Sequence, residues 1–165
     1  MSIWVADAGP LIFLAKLDLL ELLHSAGIDI YVPSAVIQEI RSKNDEASSA
    51  IEEASSIWLQ IRSVEDSNAV ELLLADLDSG EAEVIALARE IKADWVLLDD
   101  LDARRFARRV GLSPVGTLGL LLAARLQGQI PSLHTEIQRL QDHGFWISDL
   151  LKERILKAAG EIESD

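Results

Sequence analysis

Cysteine is absent from this chain of 165 residues, so neither a disulfide nor a thiolate metal site can form. Histidine is scarce as well, and His24, His134 and His143 share no spacing typical of metal ligands. The sequence therefore lacks the mixture of histidine and cysteine on which zinc sites are built. The lack of cysteine is typical of the reducing cytoplasm, and we expect that location.

Positive charge is also in short supply. The 15 Lys and Arg residues stand against 28 Asp and Glu residues, which gives a formal net charge of −13 at pH 7. This balance argues against broad nonspecific binding of nucleic acid, which depends on cationic contacts to phosphate. It does not exclude local binding, because local charge can differ from net charge. The four Trp, three Phe and one Tyr residues are scattered, and they form no base-stacking platform in the sequence.

No apolar run approaches the roughly 20 residues that a membrane helix needs. The first residues also lack the basic and apolar stretches of a secretory signal, so we expect neither a signal nor a membrane association. Hydrophobic residues nevertheless make up 49% of the chain, enough for a sizeable core. We expect one domain over residues 1–158, followed by a flexible acidic tail over residues 159–165.

Short strand-like runs alternate with helical patterns, which favours an α/β sheet with helices on both faces. The predicted strands cover residues 3–6, 28–32, 58–62, 95–98 and 114–115. The predicted helices cover about 10–24, a segment from 34, 44–56, 66–76, 78–92, 101–110, 120–126, 132–142 and 148–158. In detail, Ser34 is the predicted N-cap of its helix, Glu83 a solvated residue, and residues 116–119 a turn.

Five carboxylates stand where the chain passes from strand to helix or begins a helix: Asp7, Glu39, Glu81, Asp99 and Asp100. If the strands over 3–6 and 95–98 are parallel neighbours, the acids that end them meet at one edge of the sheet. Open α/β sheets bind their ligands at this edge. Like charges repel when they are brought together, and a bound divalent cation is the main explanation for such a cluster. Hard oxygen ligands favour Mg²⁺ or Mn²⁺.

Each of these acids also has a structural interpretation. Asp7 is suited to cap the helix that follows it. Residues 78–81 fit a capping box in which the glutamate reaches back to the first aspartate. Glu39 would be a solvated helix residue in the absence of a ligand. Of Asp99 and Asp100, we expect one in the acidic cluster and the other at the cap of the next helix.

One basic segment interrupts the acidic background. Residues 104–109 read Arg-Arg-Phe-Ala-Arg-Arg and follow closely on the paired aspartates. Arg104, Arg105 and Arg108 are therefore candidate contacts to phosphate. The alternative is a surface helix whose arginines pair with local acids.

Five segments, taken in order, resemble the PIN-domain proteins, in particular a small prokaryotic branch of uncharacterised function. They cover residues 5–12, 32–40, 80–88, 97–100 and 114–121. The resemblance implies a three-layer α/β/α sandwich with a central parallel sheet of about five short strands. It also implies an acidic pocket that binds Mg²⁺ or Mn²⁺, and a ribonuclease that hydrolyses phosphodiester bonds of single-stranded or structured RNA.

The same resemblance assigns a role to each acid. Asp7 and Asp100, or Asp99 in place of Asp100, would be direct metal ligands. Glu39 and Glu81 would hold a second ion or position a water molecule. Further implications are a role as the toxin of a toxin–antitoxin pair, an antitoxin protein as a partner, and a homodimer.

Two residues depart from the pattern of many active relatives. Ala8 stands where a Ser or Thr often follows the first aspartate, and Glu81 stands where Asp is common. These departures motivate a second hypothesis, a catalytically weakened PIN-like module that binds nucleic acid or protein. A third hypothesis, a phosphoacceptor receiver domain, would need a Lys after the last strand, where the chain has Gly116 and Thr117.

Overall fold

The computed structural model describes residues 1–24 and 27–163, which form two compact units divided between Gly116 and Thr117. The strands are β1 (Ser2–Ala6), β2 (Ile28–Pro33), β3 (Gln60–Arg62), β4 (Trp95–Leu97) and β5 (Pro114–Val115). The helices are α1 (Ala8–Lys16), α2 (Ser34–Lys43), α3 (Glu46–Ser55), α4 (Ser67–Leu73), α5 (Ser79–Glu90), α6 (Leu101–Arg109), α7 (Thr117–Leu126), α8 (Leu133–Asp142) and α9 (Asp149–Ala158). Within the described residues, no helix has both the length and the apolar character needed to cross a bilayer.

The first unit is built on an all-parallel sheet with the strand order β3-β2-β1-β4-β5. Strands β1 and β4 pair Val5 with Val96 and Ala6 with Leu97. The Asp7 N–H continues this ladder by donating to the Leu97 carbonyl at 3.0 Å. The chain moves outward from β1 through β2 and β3, and then outward on the other side through β4 and β5. The strand order therefore reverses between β1 and β4, and the predicted α/β fold with a parallel sheet of about five strands is confirmed.

Helices cover both faces of this sheet. Crossovers between parallel strands are right-handed, so α1, which joins β1 to β2, and α6, which joins β4 to β5, lie on opposite faces. Helix α1 contacts α2 and α3, and α5 contacts α2 and α4 as well as β1, β2 and β4. Burial on both faces explains why the central strands read as unbroken apolar runs. Val5, Val96 and Leu97 have no exposed surface.

Helix α1 is shorter than predicted. The leucine spacing predicted a helix through about residue 24, which was wrong, because α1 ends at Lys16 and Asp18 takes a left-handed backbone conformation with φ +57°. A 3₁₀ turn then covers Leu20–Leu23. Leu20 and Leu23 are still buried, because residues three apart share one side of a 3₁₀ turn, and Leu17 at the end of α1 is buried as well. The spacing thus identified the buried side and not the type of helix.

Helix α2 receives its N-terminal acceptor from a different helix. Pro33 is the N-cap of α2 and forms no side-chain cap bond, so the prediction that Ser34 caps the helix was wrong. Instead, the Ala35 N–H donates to Oε1 of Glu83 on α5 at 3.0 Å. Glu83 is half-buried, so the prediction of a solvated side chain was wrong too. A carboxylate at the positive end of a helix dipole is favourable, and this bond fastens α2 to α5.

The second unit contains α7, α8 and α9, with α8 in contact with the other two. Helix α7 begins at Thr117, so the prediction of a turn over residues 116–119 was wrong from Thr117 onward. Helix α8 buries Leu133, Ile137 and Leu140. Their spacing of four and three residues places them on one stripe of the helix, as is typical of an amphipathic helix.

The stretch that was predicted as a flexible tail includes a residue with several partners. Glu161 accepts hydrogen bonds from the backbone N–H groups of Leu133 and His134, and its Oε2 lies 3.0 Å from Nε of Arg125. Burial opposes ionisation, yet these donors hold the pKa of Glu161 below its usual value. Residues 164 and 165 of the tail lie outside the described residues, and the predicted domain boundaries stay predictions.

The bond between α5 and α2 can be tested by mutation. We expect Glu83→Ala to lower the free energy of unfolding by about 1 kcal/mol, because the Ala35 N–H loses its acceptor. Glu83→Gln keeps an acceptor oxygen and should recover most of that loss in urea denaturation. Glu53→Ala, on an exposed position of α3, is the matched control. Equal losses in Glu83→Gln and Glu83→Ala would assign the effect to charge and not to the hydrogen bond.

Candidate functional site

Asp7 lies at the carboxyl end of β1, beside the point where the strand order reverses. Its Oδ1 accepts the Ala8 N–H at 2.9 Å, so it caps α1, and its side chain is half-buried. Burial raises the pKa of Asp7 from 3.8 to about 7, against the lowering effect of the bond from Ala8. Like charge on three neighbouring acids contributes to this raised pKa: Asp78, Glu81 and Glu39. Burial among like charges is typical of a functional carboxylate.

Three carboxylate oxygens converge on the backbone of Gly80, the second residue of α5. A Cβ atom at Gly80 would lie 3.2 Å from Oδ1 of Asp7, 3.5 Å from Oε2 of Glu39 and 3.6 Å from Oδ1 of Asp78. Strand β1, helix α2 and the start of α5 thus direct one acid each to the same small region. The structure brings together Asp7 and Glu39, two of the predicted site residues. It adds Asp78, which the sequence indicated only as a helix cap.

Glu81 forms the capping box that its sequence pattern fits. Its Oε1 accepts the Asp78 N–H at 3.2 Å, and its own N–H donates to Asp78 Oδ1 at 2.8 Å. Burial raises the pKa of Glu81, the hydrogen bond from Asp78 lowers it, and the charges of Asp78, Asp100 and Asp102 raise it. The pKa of Glu81 therefore depends on charged groups at the start of α5 and at the start of α6.

The two aspartates after β4 have different environments. Oδ2 of Asp100 accepts the Ala103 N–H at 2.9 Å, so Asp100 caps α6, and it is exposed. Asp99 is half-buried. Its Oδ1 lies 3.0 Å from the position of a Cβ atom at Gly116, and its Oδ2 lies 4.0 Å from the equivalent position at Gly9. Asp99 therefore extends toward the first turn of α1, next to the end of β1.

The predicted phosphate contacts divide between two faces of α6. Nη1 of Arg104 lies 2.9 Å from the same Cβ position at Gly116, so its guanidinium stands beside the Asp99 carboxylate. Arg108 follows four residues later and shares that face of the helix. Arg105 lies about 100° around the helix, and its Nη1 pairs with Oδ1 of Asp102 at 3.5 Å. Arg104 thus stands beside one of the acids, whereas Arg105 forms an exposed ion pair of the kind that contributes little to stability.

The donor set consists of carboxylate oxygens, which suit Mg²⁺ and Mn²⁺. Over residues 1–24 and 27–163, no three or more His, Asp or Glu side chains are already grouped so that they could hold an ion. The convergence at Gly80 is a looser arrangement, because its three oxygens surround a position that a side chain would fill. The donor chemistry suits a hard divalent ion, and Asp7, Glu39 and Asp78 are the residues that would hold it, each with an oxygen within 3.6 Å of the Cβ position at Gly80.

The raised pKa of Asp7 predicts a pH-dependent stability. Asp7→Asn keeps a residue that caps helices well and removes the charge. The folded protein holds the Asp7 proton up to about pH 7, whereas the unfolded chain releases it near pH 3.8. The Asp7 carboxyl group therefore lowers the free energy of unfolding progressively more as the pH rises through this window. We expect Asp7→Asn to be more stable than the unchanged protein above pH 7, by an amount on the order of a few kcal/mol.

Urea denaturation above pH 7 and below pH 4 checks this expectation, since the stability difference should shrink as the pH falls. Asp66→Asn is the matched control, because Asp66 is the exposed N-cap of α4. A stability advantage of Asp7→Asn that grows toward acid would contradict the expected sign.

Comparisons with known proteins identify the family. A family model described as a PIN domain matches residues 3–161. Among solved structures, the chain is similar to a PilT N-terminus domain protein from the hyperthermophilic archaeon Sulfolobus solfataricus P2, with a TM-score of 0.56 and 18% identity. The match covers 74% of this chain and 92% of that chain, and at this identity it shows the fold alone. No curated protein matches. The resemblance found in five segments is confirmed, and the chain belongs to the PIN-domain family.

Proposed function

We propose that the protein is a metal-dependent ribonuclease of the PIN type, which hydrolyses phosphodiester bonds of single-stranded or structured RNA. Membership of the family supports a nuclease-type fold. One observation carries the finer proposal: oxygens of Asp7, Glu39 and Asp78 lie within 3.6 Å of a single position at Gly80. This position lies at the carboxyl edge of the sheet, beside the reversal of strand order, where α/β folds bind ligands.

The acids at this edge are the candidate ligands: Asp7, Glu39, Asp78, Glu81, Asp99 and Asp100. A bound Mg²⁺ or Mn²⁺ would supply an activated water near neutral pH and neutralise charge that develops on the phosphate. Burial of Asp7 strengthens the attraction between its carboxylate and a cation, because the local dielectric is low. Since a ligand must be ionised, cation affinity at Asp7 should rise with pH toward and beyond its pKa of about 7.

The arginines on α6 are the candidate contacts to the phosphates of the RNA. Arg104 stands beside Asp99, and Arg108 lies one turn further along the same face. In a chain with a net charge of −13, this basic strip next to the acids gives an RNA backbone a local site of attraction. Phosphate contacts of this kind position a strand and carry no sequence information.

A second candidate function is a PIN-like module that binds nucleic acid or protein without turnover. Asp7, Asp78 and Asp100 all accept helix N–H groups, so each of them has a structural role that would survive the loss of catalysis. Ala8 is buried and brings no hydroxyl group to the side of Asp7. These two observations support the binding module as the alternative to the nuclease.

The proposal extends to partners. The acidic net charge supports a basic protein partner, of which an antitoxin is the example that the family suggests. Family likeness also supports a homodimer. One chain has a mass of 18.1 kDa. Light scattering on the purified protein should give twice this mass, and a monomer mass would contradict the homodimer.

Cleavage of a labelled single-stranded RNA tests the nuclease directly. Cleavage should require Mn²⁺ and stop on addition of EDTA. Asp7→Asn and Glu39→Gln should each lower the rate by about 100-fold or more, since removal even of outer-shell partners commonly costs 10–100-fold in activity. Glu53→Gln, an exposed acid on α3, is the matched control and should leave the rate unchanged.

The two candidate functions give different results in this assay. Mn²⁺ binding by the unchanged protein, without cleavage of any of a varied set of RNAs, would favour the binding module. Cleavage that continues at full rate in Asp7→Asn would overturn the assignment of the acids.

RNA affinity tests the arginine face. In an Asp7→Asn background, in which RNA stays intact, Arg104→Gln should weaken binding and lower the slope of log affinity against log salt by about 0.7 to 1. Arg105→Gln is the matched control, because Arg105 lies off that face and pairs with Asp102. Fluorescence anisotropy over a salt series gives both quantities. Equal effects of the two substitutions would show that no particular face of α6 meets the phosphates.

A further inference from the structure

Gly80 occupies a helical position at which its backbone does not require glycine. It is the second residue of α5, and it is not among the residues with a positive φ. Within a helix, glycine is less favourable than alanine by about 1 kcal/mol. The conformational freedom of glycine therefore does not explain why residue 80 is Gly. The lack of room for a side chain at this position does. An alanine here would place its methyl carbon 3.2 Å from Oδ1 of Asp7, which is tighter than ordinary van der Waals contact.

We propose that Gly80 is a positioning residue, which keeps open the space that the carboxylates of Asp7, Glu39 and Asp78 share, so that they can close on a divalent ion. This inference rests on the metal site of the proposed function. It states that metal binding requires glycine at position 80, although glycine has no side chain that could bind the ion.

The three acids differ in how far they can retreat from a side chain at this position. Glu39 is exposed and has a long side chain, so it can move into solvent. Asp7 cannot retreat freely, because the oxygen that faces Gly80 also accepts the Ala8 N–H at 2.9 Å. Oδ1 of Asp78, which likewise faces Gly80, accepts the Glu81 N–H at 2.8 Å. A methyl group would thus strain two caps or fill the space between the carboxylates.

Gly9 provides the matched comparison. It is likewise the second residue of a helix, α1, and it too has no positive φ. It also lies at the same edge of the sheet, two residues after Asp7. The contact that a Cβ atom there would make is with Oδ2 of Asp99 at 4.0 Å, which is ordinary van der Waals separation. Gly9→Ala therefore changes helix propensity in the same way without entering the space between the acids.

The test compares the unchanged protein, Gly80→Ala and Gly9→Ala by calorimetric titration with Mn²⁺ and by the rise in Tm that Mn²⁺ causes. We expect Gly80→Ala to fold and to bind Mn²⁺ about 10- to 100-fold more weakly, the range seen when residues that orient metal ligands are changed. It should lose most of the Mn²⁺-dependent rise in Tm. Gly9→Ala should match the unchanged protein in both measurements.

Equal Mn²⁺ affinity in Gly80→Ala and the unchanged protein would overturn the inference and leave the proposed metal site standing. Failure of the unchanged protein to bind Mn²⁺ would overturn both. If Gly80→Ala does not fold, Asp7→Ser combined with Gly80→Ala decides, because serine still caps α1 and withdraws the crowded carboxylate. Recovery of folding in the double variant supports the inference. Failure of the double variant as well would show that Gly80 serves the helix and not the acids.

Discussion

Strands β1 and β4 run side by side at the point where the strand order reverses, and their pairing sets the positions of Asp7 and of the Asp99–Asp100 pair. The register places Ala6 opposite Leu97, and the Asp7 N–H reaches the Leu97 carbonyl. The chain leaves the two strands toward different sides of the sheet, which opens a gap at their carboxyl ends. Helix α5 contacts both strands, and it carries Gly80 and Glu81 to the same gap.

Carboxylates that crowd together would push the fold apart if nothing opposed their repulsion. In this protein, helix starts oppose it. Asp7, Asp78 and Asp100 each accept an N–H at the beginning of a helix, and each such cap typically contributes about 1 kcal/mol. The positive ends of the helix dipoles also attract the carboxylates. Metal binding and capping are therefore compatible, because one carboxylate has two oxygens and several lone pairs.

Much of this arrangement could be predicted from the sequence, because it depends on local patterns. Apolar runs that end in acids indicated parallel strands with Asp7 and the Asp99–Asp100 pair at one edge. The bond from Ala35 to Glu83 could not be predicted in this way, since it depends on how closely α2 approaches α5 in the folded chain. The end of α1 was missed because leucines three residues apart satisfy both an α-helix and a 3₁₀ turn.

For the site residues too, local roles could be predicted from the sequence, whereas contacts between distant segments could not. The capping box gave Asp78 its local role, but nothing local indicated that its side chain would meet Asp7 and Glu39 at Gly80. For the proposed metal site, the capped aspartates have a consequence for ion choice, because hydrogen bonds to the backbone limit their rotamers before any ligand arrives. Such preorganised oxygens adapt poorly to ions of different radius. A small ion with strict octahedral preferences gains from such rigidity, and a larger ion that tolerates irregular shells gains less.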